Sequence, residues 1–223
     1  MAASPPRFRR AVYFELKSFF GRRLLSRRPP VVGPGPQLLH LGCGSRIFDG
    51  WVNADFFAGR FWAVPKGYWM VDLRYPFPCR DAYWDGVFTE HTLEHLHPLH
   101  AEACLREVFR VLKPGCWLRI VVPDLSKYVT FYTSGVGSPR FSEWPGRAEA
   151  LRALTQDFGH LSLWDSDLLG RSLTAVGFDR VRETWFGEGF DGRLTRDSKA
   201  REWESLYMEA RRPEPASNPG TRS

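Results

Sequence analysis

The chain has 223 residues, 43% of them hydrophobic, enough for one domain with short appendages and a sizeable core. Its net charge of +6 is uneven: residues 1–28 hold eight Lys or Arg and one acid, while the rest is nearly neutral, which excludes a basic nucleic-acid-binding core. There is no run of 18 apolar residues to span a membrane, and the first residues lack an apolar h-region and a small-residue cleavage site, so no signal peptide is expected.

The basic leader, residues 1–28, reads as an amphipathic helix from about Arg7 to Ser26, with Val12, Leu16, Phe19, Phe20 and Leu24 near helical spacing. Its basic and aromatic residues suit either docking on the domain or contact with an anionic membrane surface. A Pro/Gly linker follows over residues 29–36, then a domain over 37–212 and a disordered tail over 213–223. The four cysteines form no C-x-x-C pair, so neither a zinc ribbon nor a disulfide framework is expected, and a reducing cytoplasm is the expected compartment.

Inside the domain, apolar runs at Leu38 to Leu41, Trp51 to Phe56, Tyr68 to Leu73, Asp85 to Thr89 and Trp117 to Val122 alternate with helical patterns. The clearest helix, Leu99 to Lys113, places Cys104, Leu105, Val108, Val111 and Leu112 on one face and ends at Pro114-Gly115. Near-continuous apolar strands alternating with helices predict a doubly wound α/β fold with ligands at the carboxyl ends of the strands.

The first strand ends in Gly42-Cys43-Gly44-Ser45, a turn that lets backbone approach a ligand closely. Asp55 closes the second strand, where a carboxylate accepts ribose hydroxyls, and Asp72 closes the third, beside the place of an adenine. A dinucleotide site wants a third glycine and a helix start for the pyrophosphate. Here Asp55 lies only 13 residues after Gly42 and the spacer to Trp51 is too short for a full helix, so a ligand without phosphate fits better.

At this point the segments LLHLGCGSRIFDGWVNADF, VDLRYPFP, WDGVFTEHTLEHL and REVFRVLKPGCWLRIVVPDL, with AVGFDRV and ESLYMEARRP, resemble class I S-adenosylmethionine-dependent methyltransferases. They are similar in particular to small bacterial enzymes associated with polysaccharide and cell-envelope functions. The resemblance implies a Rossmann-like seven-stranded sheet with its last strand antiparallel, in a three-layer α/β/α sandwich. It implies S-adenosyl-L-methionine as cofactor, with Gly42 and Gly44 behind its methionine part, Asp55 on the ribose, Asp72 and the backbone of Leu73 at the adenine, and Glu90 and His91 at the sulfonium. The expected reaction transfers a methyl group to oxygen or nitrogen of a small-molecule or glycan-linked acceptor. The alternative is a non-catalytic nucleoside-binding module of the same fold. His40 stands where many of these enzymes carry an acid at the start of the glycine motif.

A hydroxyl acceptor needs a proton acceptor, and His91, His160, Glu90 and Asp124 are the candidates. The stretch from His91 to His95 also matches H-x-x-E-H, a zinc-peptidase signature. That chemistry requires both histidines on one helix and a glutamate from a later one. His91 instead falls at a strand-to-helix corner, so no metal is expected. His95 is expected to be structural, and His97 and His100 exposed. Trp62, Trp69, Trp84, Trp144, Trp164 and Trp185 are expected mostly to pack, with the segment from Tyr128 to Trp144 as a lid over the acceptor pocket.

Overall fold

The computed structural model describes residues 12, 14–16, 18, 19, 22, 23, 28–56 and 66–215. Parts of the expected leader helix, Trp62, and the tail beyond residue 215 lie outside the described residues. Val12, Phe14 to Leu16, Ser18 and Phe19 are helical. Among the described residues no helix is long and apolar enough to cross a membrane.

Seven strands form one sheet: β1 (Leu38–Leu41), β2 (Val52–Asp55), β3 (Tyr68–Met70), β4 (Gly86–Glu90), β5 (Trp117–Pro123), β6 (Asp179–Thr184) and β7 (Ser205–Arg211). Their spatial order is β3-β2-β1-β4-β5-β7-β6. β1 to β5 pair in parallel, and β7 inserts antiparallel between β5 and β6. The main helices are α1 (Pro98–Val111), α2 (Leu125–Ser134), α3 (Arg147–Arg152) and α4 (Ser166–Val176). This is the expected Rossmann-like sheet with helices on both faces. β2 and β3 stop short of their apolar runs because the chain leaves the sheet at Phe56 and Val71.

Strand alternation builds two cores. Leu39, Leu41, Val87, Leu118 and Ile120 face one side, where Leu105, Val108, Leu169 and Leu173 of α1 and α4 close over them. Leu38, Phe88, Val121 and Tyr207 face the other, closed at its centre by Trp51 and by Leu194 from the long connection between β6 and β7.

That connection is held by an ion cluster invisible in the hydropathy pattern. Arg119, in the middle of the most apolar strand, is fully buried. It donates from Nε and Nη2 to the two Asp197 oxygens at 2.8 and 2.6 Å, and from Nη1 to Glu209 Oε1 at 3.1 Å. Further bonds reach Thr184 Oγ1 and the carbonyls of Trp185 and Glu188. Asp197 accepts the Gly187 N–H in turn, and Glu209 accepts that of Phe190. A buried charge this deep persists only when paired and fully hydrogen-bonded.

Candidate functional site

The carboxyl ends of β1, β2, β3 and β4 meet along one edge, as parallel pairing requires. Gly42 and Gly44 have φ of +68° and +51°, a left-handed conformation that favours glycine. The Gly42 and Cys43 N–H groups both donate to the Ala54 carbonyl, which ties the turn to the end of β2. Asp55 Oδ2 accepts the Gly44 N–H at 2.8 Å. A Cβ at Gly42 would lie 2.0 Å from Thr92 Oγ1, so Thr92 packs against bare backbone there, while nothing stands within 4 Å of the same position on Gly44. As the short spacer to Trp51 implies, no helix follows the turn: residues 42–51 run as turns and bends.

Asp72 is buried and saturated. Arg74 donates to it from its backbone N–H and from Nε and Nη2, and the Ser18 hydroxyl of the leader donates to Oδ2 at 2.5 Å. Burial pushes this carboxyl up, but the hydrogen bonds from Arg74 and Ser18 outweigh it and hold it below its ordinary value. Arg74 also pairs with Glu15, and the Arg22 guanidinium lies 3.4 Å over the Tyr75 ring. The leader thus docks on the loop after β3, while Val12, Leu16 and Phe19 stay largely exposed. Between leader and loop lies a cavity of about 240 Å³ lined by Phe56, Met70, Val71, Asp72 and Tyr75. Leu73 follows with its side chain against the core.

Glu90 ends β4 with both oxygens engaged, one by Arg46 at 2.5 Å and one by the Ser198 N–H at 2.7 Å. Burial raises its pKa against those two bonds. His91 turns the corner at φ +48°, uncommon for a residue with a Cβ. Its side chain points toward β7, where Nε2 lies 2.8 Å from Ser205 Oγ. The Ser205 hydroxyl donates to the Arg201 carbonyl, so His91 Nε2 carries the proton and Nδ1 the lone pair.

His91 Nδ1 faces Glu94 Oε1 at 3.7 Å. Glu94 sits in a 3-10 turn over Leu93–His95 and is 1% exposed. The Leu161 and Ser162 N–H groups donate to the Glu94 carbonyl, which zips residues 161–162 onto this turn and brings His160 beside it. Burial lifts the Glu94 carboxyl to about 8 and holds His91 down at about 3. His95 and His160 are also lowered, chiefly by burial. His97 and His100 are exposed, as expected.

His40 points away from the site edge. It is buried on the opposite side of β1 from Leu39 and Leu41, stacked on Phe48 at 4.3 Å, and burial lowers it to about 4. Asp124 caps α2 by accepting the Ser126 N–H. Trp69, Trp84 and Trp164 are buried as expected, whereas Trp185 is 68% exposed. The expected lid carries an aromatic cluster of its own, Tyr128, Phe141 and Trp144 packed with Trp203.

Beyond His91 and Ser205, between α2 and the ends of β6 and β7, opens a second cleft of about 410 Å³. Lys127, Trp185, Phe186, Trp203, Ser205 and Tyr207 line it. The edge thus offers a glycine turn, a carboxylate at the end of β2, a cavity of about 240 Å³ with mixed polar and apolar walls beside β3, and no helix N-terminus for phosphate at residues 42–51. Such a donor set fits S-adenosylmethionine better than a dinucleotide. Sequence reading missed Arg46, Arg74, Thr92 and Ser205, and met Glu94 only within the H-x-x-E-H match. The first two are surface-type residues that only the fold places on Glu90 and Asp72, and no spacing pattern marks Thr92 or Ser205.

A methyltransferase-domain family model matches residues 7–183. Among solved structures, the chain is similar to a SAM-dependent methyltransferase from Archaeoglobus fulgidus: TM-score 0.53 and 18% identity, over 89% of this chain and 94% of that one. It is also similar to a SAM-dependent methyltransferase from Thermotoga maritima, a possible histamine N-methyltransferase: TM-score 0.50 and 13% identity, over 92% and 96%. Identities this low speak for the fold, and the family match extends over well more than half of the sequence. The chain belongs to the methyltransferase-domain family and is an S-adenosylmethionine-dependent enzyme of the class I fold.

Proposed function

We propose that this enzyme methylates an oxygen or nitrogen of a small-molecule or glycan-linked acceptor held in the cleft beside β6 and β7. The Ser205–His91 hydrogen bond carries this reading, because it joins the cleft wall to the corner after β4 where methyl transfer takes place in this fold. Bound S-adenosylmethionine supplies a sulfonium-activated methyl carbon. Gly42 and Gly44 back its methionine part, with the open space at Gly44, Asp55 addresses the ribose, and the cavity at Phe56, Met70 and Asp72 takes the adenine. Since Asp72 is already saturated, the backbone near Leu73 carries the adenine contact unless the leader moves.

Of the candidate residues, His91 is the one whose ring touches the cleft wall, through Nε2 donating to Ser205, and it takes up an acceptor's proton there once Nε2 has passed its own proton on through Ser205. Both Glu90 oxygens are held, and the His160 ring faces Glu94 rather than the cleft. Trp185, Phe186 and Trp203 offer stacking faces to an acceptor such as a sugar ring. The exposed apolar residues of the leader support contact with an anionic membrane surface, which vesicle co-sedimentation with and without residues 1–28 tests.

Calorimetry with S-adenosylmethionine, followed by an acceptor panel, tests the main reading. It predicts binding that Asp55→Ala abolishes, and turnover that His91→Gln removes while binding persists. Absence of cofactor binding would refute it, and binding without turnover on any acceptor would favour a non-catalytic module.

A further inference from the structure

Four side chains converge on one buried point, and of them the methyl-transfer reading uses His91 alone. Both Glu94 oxygens lack a hydrogen-bond partner among the described residues, although the side chain is 1% exposed. Around Oε1 stand His91 Nδ1 at 3.7 Å, His160 Nε2 at 3.9 Å and His95 Nε2 at 4.0 Å. One ligand atom each from Glu94, His95 and His160 lie within 4.8 Å of one another.

The hydrogen bonds on the far sides of these rings decide what they present. His160 Nδ1 is 2.6 Å from the Leu154 carbonyl, so it is protonated and Nε2 offers a lone pair. His91 likewise donates from Nε2 to Ser205 and offers its Nδ1 lone pair. At least two nitrogen lone pairs therefore face a carboxylate, with no donor between them. One proton on Glu94 relieves one of these contacts, whereas a divalent cation relieves them all. The arrangement of ring, backbone carbonyl and outward lone pair is also how metal-bound histidines are oriented.

We propose that Glu94, His95 and His160 bind a divalent first-row transition metal, with His91 beside it. Two imidazoles and one carboxylate suit zinc or ferrous iron and leave an open coordination position. Tetrahedral ligands at about 2.0–2.1 Å from zinc stand roughly 3.3 Å apart, so the three atoms close by about 1 Å or a little more on binding. His95, with 46% of its side chain exposed, gives the entry path and the freedom to close. Arg201 adds positive charge nearby but is paired with Glu204 at 2.9 Å. The match of His91 to His95 with a zinc signature is thus half informative: Glu94 and His95 serve as ligands, and the third comes from His160, 65 residues beyond His95, rather than from a later glutamate. The site is independent of whether the acceptor assignment above holds.

The test is metal titration of the untagged full chain, stripped by chelator, with Zn²⁺ followed by calorimetry and Co²⁺ by its visible ligand-field bands. The expected result is one equivalent per chain, a raised thermal midpoint with metal, and a loss of roughly a hundredfold or more in affinity for Glu94→Gln, His160→Gln and His95→Asn. His95→Asn alters a half-exposed side chain and keeps the measurement open if a buried variant fails to fold. The paired substitution His97→Asn and His100→Asn, on the exposed surface, leaves binding intact. No stoichiometric binding, or binding that survives the three ligand substitutions and disappears with the surface pair, overturns the proposal in favour of a shared proton on Glu94.

Discussion

Replacing Arg119 by Met gives the sharpest test of how this fold is held. The substitution keeps length and apolar bulk and removes the charge. It leaves Asp197 and Glu209 without their shared cation, their side chains 1% and 0% exposed, each with one backbone N–H as its remaining bond in the cluster. Breaking a buried pair from one side costs about 3–5 kcal/mol, because an uncompensated charge stays in the interior. For a chain of this size each kcal/mol lowers Tm by roughly 2–4 °C, so Arg119→Met is expected to fall by about 6–20 °C. The triple variant Arg119→Met, Asp197→Asn, Glu209→Gln keeps acceptor oxygens for the Gly187 and Phe190 N–H groups and removes all three charges. It is expected to recover at least half of the loss.

Calorimetric melting of the three proteins at neutral pH reads both numbers. Hydrogen exchange at Gly187 and Phe190 reports whether the connection between β6 and β7 loosens first. The consequence reaches the site, because Ser198 in that connection caps Glu90 and the Asp197 carbonyl accepts from Arg46. A drop of less than about 3 °C in the single variant, or no recovery in the triple, would show that this cluster does not hold the connection.

Gly42→Ala forces a side chain into the left-handed region, at about 1–2 kcal/mol, and into Thr92; a cofactor affinity loss of at least ~10-fold by calorimetry is expected, with a smaller loss for Gly44→Ala, where space is open. Ser205→Ala removes the partner of His91 Nε2, worth about 1 kcal/mol, and is expected to lower kcat several-fold while leaving the cofactor Kd unchanged. Asp72 has a native pKa below its ordinary value of 3.8, so its contribution to stability is full above that value and fades as pH falls through the native pKa. Asp72→Asn is therefore expected to be less stable than the parent at neutral pH, with the gap narrowing below about pH 3.8 in acid denaturation; a constant gap would refute the assignment.

The strands, the clearest helix and the glycine turn were legible because each follows from a local rule: strand hydropathy, helical periodicity, glycine at a positive φ. The order of the strands and the antiparallel last one came from the resemblance rather than from any pattern within the strands themselves. Arg119 shows where such rules fail. Placed in Leu118-Arg119-Ile120-Val121-Val122, it reads as a lapse in an apolar strand, because its partners sit 78 and 90 residues away. His40 reads as a defect in the glycine motif, yet its side chain simply packs between aromatic rings on the far side of the sheet. The stretch from His91 to His100 is the instructive middle case. Its exposed half was readable from Pro98 and the helix that follows. Its buried half depended on the segment ending at Ser162, which no spacing connects to it.

The two halves of the sheet edge divide the work, and the chain is built to keep them apart. From β3 to β1 the edge carries backbone turns and two carboxylates that are tied down within their own half, Asp55 by Gly44 and Asp72 by Arg74 and Ser18. From β4 to β7 it carries rings whose partners come from distant segments: His91 with Ser205, His160 with Leu154, and both against Glu94. Glu90 is the hinge between the halves, held from the first by Arg46 and from the second by Ser198. A cofactor common to a whole family needs a surface that short local motifs can rebuild. An acceptor particular to one enzyme can be served by long-range contacts that differ between relatives. The half proposed for the cofactor is accordingly the one that resemblance could assign, and the half proposed for the acceptor is where experiment on this chain has most to add.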